Sequence, residues 1–147
     1  MISTKNPKYR QVIEDKQARQ FFMKLIGFEI TKITEGRIEG RLKVEQKHEQ
    51  QNGFVHGGVI STIADIVTGL AAFTLIPENM HVVTAEIKIS YFRPGICDEL
   101  IAKGWVEKAG SRFSFCEAEI YAIKDGKETV IAKATTTMAV IAMSNEQ

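Results

Sequence analysis

The stretch NGFVHGGVISTIADIVTGLAA, residues 52–72, decides the fold, because it is almost wholly apolar yet contains one carboxylate, Asp65. Its pattern predicts a long helix over residues 57–76. This helix begins at the glycine pair and ends before Pro77, since proline cannot continue a helix. Apolar side chains surround nearly the whole helix, which is typical of a helix buried inside a domain. The rest of the chain must therefore cover it.

The flanking sequence predicts that this cover is an antiparallel sheet. Before the helix, residues 28–34 and 37–44 are predicted strands joined by a turn at Glu35-Gly36. After the helix, strands are predicted over residues 82–92, 100–108, 113–123 and 129–143, and Asp125-Gly126 marks a tight hairpin between the last two. The pattern predicts an α+β fold, in which a curved antiparallel sheet wraps around one long central helix.

A modest amphipathic helix is predicted ahead of this core, over residues 8–25, and Gly27 is suited to end it. Its apolar positions are Val12, Ile13, Phe21, Phe22 and Leu25. The sequence contains no repeat, low-complexity segment or linker. One domain over residues 1–147 is therefore expected, with its core at about residues 28–143.

The composition argues against several classes of protein. The chain is 44% hydrophobic and 25% charged with a net charge of +1, so it lacks the basic excess typical of nucleic-acid binding. The one membrane candidate, residues 59–76, contains Asp65, which costs about 2.5–3.5 kcal/mol at a bilayer centre, so a buried helix is favoured. Cys97 and Cys116 form no disulfide framework, and the polar N-terminus has no signal-peptide core. A cytoplasmic protein is expected.

Asp65 is the first candidate for chemistry. Ser61, Asp65 and Thr68 are spaced by four and three residues, so they share one polar stripe on the predicted helix. A carboxylate buried in such a stripe suits a general base or a nucleophile. The alternative is a structural aspartate that bonds to Ser61 or Thr62, or that faces water. Position alone leaves both interpretations open.

His56-Gly57-Gly58 supplies a second candidate, because unpaired amides at a helix start can stabilise a developing oxyanion and glycine permits close approach. The alternatives are a plain turn for the glycines and a packed or backbone-bonded role for His56. Gly57 and Asp65 are eight residues apart, about 12 Å along a helix axis, so one carbonyl cannot readily contact both. If both act on the same carbonyl, they belong to different subunits of a two-fold dimer.

The segment NGFVHGGVISTIADIVTGLAA, together with TAEIKISYFRPG at residues 84–95, resembles the hotdog-fold acyl-CoA thioesterases, specifically their PaaI-like, phenylacetate-pathway branch. The resemblance extends over about residues 28–143. It implies hydrolysis of an acyl-CoA thioester, with Asp65 as general base or nucleophile. It also implies that the amide of Gly57, at the helix start of the partner subunit, polarises the carbonyl oxygen.

The same resemblance implies roles for three further residues. Asn52 would position the water or the thioester, His56 would hold the loop, and Thr84 would lie near the attacking group. For Thr84 the alternative is an ordinary residue of a strand. The resemblance also implies a homodimer paired through the strand after the helix, with two dimers forming a tetramer.

Substrate binding is assigned to residues on the helix and in two loops. Gly58 and Ser61 are expected to bind the substrate or its coenzyme A. Arg93 in the YFRPG loop, and Lys108, Ser111 and Arg112 around the AGSR turn, are candidates to hold the phosphates of coenzyme A. The alternative for each of these four is a solvated turn residue.

No cofactor is expected apart from the coenzyme A of the substrate, since thioester hydrolysis needs only an activated water or carboxylate and an oxyanion donor. No metal is expected either, because His48, His56 and His81 lack a ligand spacing. The helix carries Asp where dehydratases of this fold would carry Glu, which argues against dehydration. A non-catalytic acyl-CoA-binding module is the alternative function. The identity of the acyl group stays open.

Overall fold

A computed structural model describes residues 2–144, so the two ends of the expected domain, Met1 and residues 145–147, lie outside the described residues. The elements are α1 (Tyr9–Arg19), α2 (Phe21–Ile26), β1 (Phe28–Thr34), β2 (Arg37–Lys43), a 3-10 turn (Gln46–His48), α3 (Gly57–Phe73), β3 (Met80–Tyr91), β4 (Glu99–Ala109), β5 (Phe113–Lys124) and β6 (Lys127–Ala142). The strands form one antiparallel sheet in the order β1-β2-β4-β5-β6-β3, with β3 at an edge. This is the predicted α+β arrangement.

Both predicted hairpin turns are confirmed by their backbone angles. Gly36, between β1 and β2, has a φ of 70°, and Asp125 and Gly126, between β5 and β6, have φ values of 49° and 74°. Two consecutive positive φ values suit the right-handed twist of paired strands. These turns fix which strand faces pack against α3.

The helix α3 packs against one face of the sheet, and it approaches β4 closely at Gly104. A Cβ at Gly104 would lie 2.8 Å from the backbone carbon of Val67 and 2.7 Å from its Cγ2. Val67 is fully buried. Because Asp65 precedes Val67 by two residues, about 200° around the helix, Asp65 faces away from β4.

The N-terminal helix differs from the single helix predicted over residues 8–25. It breaks at Gln20, whose φ and ψ of −83° and 86° are not helical. Ile13 of α1 and Met23 of α2, on either side of the break, are both buried. Three predicted apolar-face residues are instead exposed, namely Phe21, Phe22 and Leu25. Gly27 ends α2 in the left-handed conformation, as predicted.

Two details of α3 also differ from the prediction. The helix ends at Phe73 rather than at residue 76, and the side chain of Thr74 accepts a hydrogen bond from the amide of Gly36 at 2.7 Å. Thr68 is fully buried, and its hydroxyl donates to the carbonyl of Ala64. The polar stripe therefore consists of Ser61 and Asp65 without Thr68. Among residues 2–144, no helix is long and apolar enough to cross a membrane.

Candidate active site

Three of the first four amides of α3 are hydrogen-bonded to neighbouring groups of the chain, and one is free. His56 directly precedes the helix, and its Nδ1 accepts a hydrogen bond from the Gly58 amide at 2.8 Å. The amides of Val59 and Ile60 donate to the carbonyl oxygen of His56. Within residues 2–144 the Gly57 amide has no acceptor. This helix end therefore presents one free N–H donor, at the positive end of the helix dipole.

The two glycines allow side chains to approach the helix start closely. A Cβ at Gly57 would lie 3.3 Å from the ring and the hydroxyl of Tyr91, and a Cβ at Gly58 would lie 2.9 Å from His56 Nδ1. The Tyr91 hydroxyl donates to the carbonyl oxygen of Gly57 at 2.8 Å. Tyr91 thus fixes the helix start while the amide on the other side of Gly57 stays unpaired.

Asp65 lies about two turns further along α3, and its side chain is half-buried in the single chain rather than buried as predicted. Its Oδ1 accepts a hydrogen bond of 2.7 Å from the hydroxyl of Thr84 on β3. The alternative partners do not bond to it, since Ser61 and Thr62 donate to the Gly58 carbonyl at 3.3 and 2.8 Å. No donor among residues 2–144 reaches Oδ2. One carboxylate oxygen is therefore held and the other is available.

A bulge in β3 allows this one strand to contact both Asp65 and Gly57 of α3. Thr84 pairs with Met138 of β6, whereas Glu86 pairs with Thr137, so Ala85 is an extra residue. Side chains of a regular strand alternate between faces, and Thr84 and Tyr91 would then point in opposite directions. The extra residue restores the phase, so both side chains face α3.

Asp65 and Gly57 line two different cavities, which share no residue. The Gly57 cavity has a volume of about 480 Å³ and includes Gly58, Tyr91 and Arg93 in its wall. The Asp65 cavity has a volume of about 320 Å³ and extends along α3 towards Phe73, between Thr84 on one side and α1 on the other. Within one chain, the free amide and the free carboxylate oxygen therefore face separate spaces.

The far wall of the Asp65 cavity contains a cation. Lys16 Nζ of α1 lies 3.2 Å from His81 Nδ1 and 3.9 Å from the centre of the Phe73 ring. All three residues line the cavity. Burial lowers the pKa of Lys16, and burial together with the charge of Lys16 lowers the pKa of His81. His81 is therefore suited to stay a neutral ring, whose Nδ1 accepts a hydrogen bond from the ammonium.

The remaining predicted site residues are spread over the surface. Asn52 is exposed in the turn before Val55 and lines neither cavity. Arg93 lines the Gly57 cavity, and its guanidinium donates to the carbonyl of Val130 at 2.9 Å. Lys108 and Ser111 line a third cavity of about 550 Å³, close to the start of β3. Arg112 is exposed beside Ser111. The single chain therefore does not bring the candidate phosphate-binding residues together.

Sequence reasoning missed three residues that the structure places at the site. Tyr91 was not predicted as a site residue, because strand alternation cannot reveal the bulge at Ala85 that turns Tyr91 to the same face as Thr84. Lys16 and His81 are distant in sequence, and nothing local indicates their contact. Among the described residues, no three His, Cys, Asp or Glu side chains are grouped as a metal site. Cys116 is a buried free thiol, and burial raises its pKa to about 12, which makes it a poor nucleophile.

Comparisons with known proteins identify the family of this chain. A family model described as Thioesterase superfamily matches residues 52–129, more than half of the chain. A thioesterase family protein from Silicibacter pomeroyi superposes with a TM-score of 0.90 at 33% identity, covering 92% of this chain and 99% of that chain. Acyl-coenzyme A thioesterase THEM4 of Mus musculus is 28% identical over 142 residues, which are 91% of this chain and 57% of that protein.

The solved structures of the same fold also include the PaaI protein of E. coli, from the phenylacetic acid degradation operon. It superposes with a TM-score of 0.83 at 19% identity over 96% of this chain and 99% of that chain, which shows a common fold. The predicted resemblance to hotdog-fold thioesterases is confirmed. The chain belongs to the thioesterase superfamily, and it is a thioester hydrolase with the hotdog fold.

Proposed function

We propose that the protein hydrolyses acyl-CoA thioesters at a site shared between two subunits. The observation that carries this proposal is the division of one chain's reactive groups between two cavities, with Asp65 in one and the free Gly57 amide in the other. The similarity to an acyl-coenzyme A thioesterase supports coenzyme A as the leaving group.

In the proposed reaction, the free oxygen of Asp65 serves either as a general base or as a nucleophile. As a general base it takes a proton from water, whose oxygen attacks the carbon; as a nucleophile it attacks directly and forms an anhydride that water then hydrolyses. In both cases the carbon–sulfur bond breaks and the thiolate of coenzyme A leaves. The Gly57 amide of the partner subunit donates to the oxyanion. Thr84 holds the other oxygen of Asp65, which orients the carboxylate.

The unpaired edge of β3 is the proposed dimer contact. Setting Ala85 of the bulge aside, Thr84 and Tyr91 each lie three strand positions from Lys88. Antiparallel pairing of two β3 edges about a two-fold axis at Lys88 sets Thr84 opposite Tyr91 of the partner subunit. Because Thr84 contacts Asp65 and Tyr91 contacts Gly57, this pairing brings the carboxylate of one subunit towards the amide of the other.

The outer face of the sheet provides a second apolar surface. Val83, Ala139 and Phe113 are cross-strand neighbours, and Val83 and Phe113 are 45% and 47% exposed. Phe115, two residues along β5, is also 47% exposed. We place the contact between two dimers on this face, since an exposed cluster of large apolar side chains is typical of an interface.

Coenzyme A is proposed to enter from the Gly57 cavity, where Arg93 is the nearest predicted phosphate ligand. Lys108, Ser111 and Arg112 would contact it only across a subunit boundary, because Lys108 and Ser111 line another cavity and Arg112 is exposed beside them. No further cofactor takes part in the proposed reaction. A cytoplasmic location is proposed because acyl-CoA is made and used there.

A subunit-mixing experiment tests the shared site. Gly57→Pro removes the free amide, and proline suits the first residue of a helix. The preceding residue, His56, has a φ of −61° and a ψ of 134°, which proline accepts in its neighbour. Gly57→Ala is the matched control, because it makes the same Cβ contact with Tyr91 but keeps the amide. Asp65→Asn removes the reacting oxygen.

Each of Gly57→Pro and Asp65→Asn alone should abolish thiol release from acyl-CoA. When equal amounts of the two are unfolded and refolded together, about half of the dimers are mixed and have one intact site, so about one quarter of wild-type activity returns. Gly57→Ala should stay active. No recovery in refolded mixed dimers would place both groups in one subunit. Binding of acyl-CoA without hydrolysis by the wild type would support the binding-module alternative instead.

A further inference from the structure

The far end of the Asp65 cavity is chemically unlike its middle. The wall between Asp65 and the far end is mostly apolar, with Ile66, Leu70 and Phe73 on α3 and Val82 on β3, and Gln20 between α1 and α2 also lines the cavity. At the end stands the ammonium of Lys16, which approaches His81 and the Phe73 ring. An apolar passage that ends at a cation fits a molecule with an apolar chain and a polar end.

The ammonium of Lys16 is poorly compensated within its own chain. The ion pairs among residues 2–144 do not include Lys16, and its polar neighbour, His81, is an imidazole. A lysine ammonium has three N–H donors, and only one points to His81 Nδ1. Lysine is rarely buried fully unless it is paired, and Lys16 is half-buried without a carboxylate partner among residues 2–144. The lowered pKa of Lys16, which burial causes, reflects the same cost.

We propose that this hydrolase selects acyl groups that end in a carboxylate, which the Lys16 ammonium binds at the far end of the Asp65 cavity. His81 accepts a hydrogen bond from Lys16 and positions it. This inference rests on the proposed function, in which the thioester carbonyl lies at Asp65. A site built around a charged hydrogen-bond donor discriminates strongly against analogues that lack the acceptor.

The spacing of the two ends sets the length of the acyl chain. Phe73, which the ammonium covers, follows Asp65 by eight residues, about 12 Å along the α3 axis. Contacts at both ends use part of this distance. Diacid chains of medium length, such as adipyl, suberyl and sebacyl, are therefore the expected substrates.

Lys16 has a structural alternative, which is to dock α1 against the core through His81 and Phe73. A docking role predicts that loss of the ammonium lowers the rate for every substrate by the same factor. A selecting role predicts a change in the ratio between acyl groups with and without the terminal carboxylate. The ratio of kcat/KM for suberyl-CoA to that for octanoyl-CoA therefore separates the two roles.

The experiment measures this ratio by thiol release for wild type, Lys16→Met and Lys16→Arg. Wild type should favour suberyl-CoA by at least about tenfold, as expected for one charge-assisted hydrogen bond. Lys16→Met should lower the ratio to about one, and Lys16→Arg should keep much of the preference. Lys24→Met is the matched control, because it removes the same charge from an exposed site on α2 that does not line the cavity. Its ratio should equal that of wild type.

A wild-type ratio at or below one overturns the proposal, and so does an unchanged ratio in Lys16→Met. Failure of the proposed function has a different signature. If Asp65→Asn still hydrolyses acyl-CoA, Asp65 is not the reacting group, and selection by Lys16 is then tested by the same kcat/KM ratio in that variant with and without Lys16→Met. If Asp65→Asn is inactive, calorimetry measures its binding of suberyl-CoA and octanoyl-CoA, and a tenfold preference that is lost on adding Lys16→Met supports selection by Lys16.

Discussion

Gly57 and Asp65, the two candidate reactive groups of α3, are both held by strand β3, but in different ways. At the helix start, three of the first four amides are paired, and the Tyr91 hydroxyl holds the Gly57 carbonyl. At Asp65 a single hydroxyl, that of Thr84, holds one carboxylate oxygen, and the side chain is half-buried. The helix start therefore presents one free donor, the Gly57 amide, among amides that are otherwise hydrogen-bonded. The Asp65 end presents one free acceptor, the second carboxylate oxygen, beside a cavity.

This difference suits the roles proposed for the two groups, a fixed oxyanion donor at Gly57 and an accessible base or nucleophile at Asp65. An oxyanion donor works best when it is fixed before the reaction, because it then costs no reorganisation. A base or nucleophile must approach water or the thioester, so one fixed oxygen and one free oxygen suit it. Substitutions at the two places should therefore differ in how much they lower the rate of hydrolysis and in whether they also lower stability.

The largest effect is expected from Asp65→Asn. The asparagine Oδ1 can still accept the hydrogen bond of Thr84, so only the charge and basicity are removed. We expect kcat/KM for acyl-CoA to fall at least about 100-fold, which corresponds to about 2.7 kcal/mol in the barrier. Thiol release measures the rate, and circular dichroism with size-exclusion chromatography shows that the variant is folded and assembled. A folded variant within tenfold of wild type would remove Asp65 from the mechanism.

An intermediate effect is expected at Thr84. Thr84→Val removes the donor to Asp65 at nearly constant volume, whereas Thr84→Ser keeps it. A hydrogen bond to a charged group contributes about 1.5–3 kcal/mol, so Thr84→Val should lower kcat by roughly tenfold or more. Thr84→Ser should stay near the wild-type rate. Equal losses in both variants would indicate that the methyl group, and not the hydroxyl, matters at this position.

The smallest effect is expected at Tyr91. Tyr91→Phe removes the bond to the Gly57 carbonyl but keeps the ring beside Gly57, and a neutral hydrogen bond contributes about 0.5–1.5 kcal/mol. The free energy of unfolding, measured in denaturant, should fall by about that amount, and kcat/KM should fall less than tenfold. A loss as large as that of Asp65→Asn would mean that the tyrosine hydroxyl itself contacts the reacting atoms.

The parts of the fold that local chemistry encodes could be predicted from the sequence. Glu35-Gly36 and Asp125-Gly126 contain the residue types that their turns require, so both hairpins were predicted correctly. The apolar helix with its lone Asp65 and preceding glycines indicated both the core and the candidate site. The pairing of Thr84 with Asp65 agrees with the position that the resemblance implied, and its role in catalysis stays a prediction.

The parts that depend on distant contacts could not be predicted in this way. Ala85 shifts the phase of β3 only relative to β6, so strand alternation alone gives the wrong relation between Thr84 and Tyr91. The break at Gln20 has no glycine or proline to signal it. Thr68 was placed in the polar stripe, since helical spacing cannot reveal that its hydroxyl bonds back to its own helix.

Gly104 has a consequence for how such an enzyme can change during evolution. Its missing side chain sets the depth at which α3 rests on β4, behind Val67. Gly57 and Asp65 belong to the same helix, so a larger residue at 104 would shift both proposed reactive groups together and affect every substrate alike. Lys16 and His81, the proposed selecting residues, lie on other elements. Under these proposals, substrate range can change through substitutions in α1 and at the start of β3, while the position of α3 on the sheet stays under constraint.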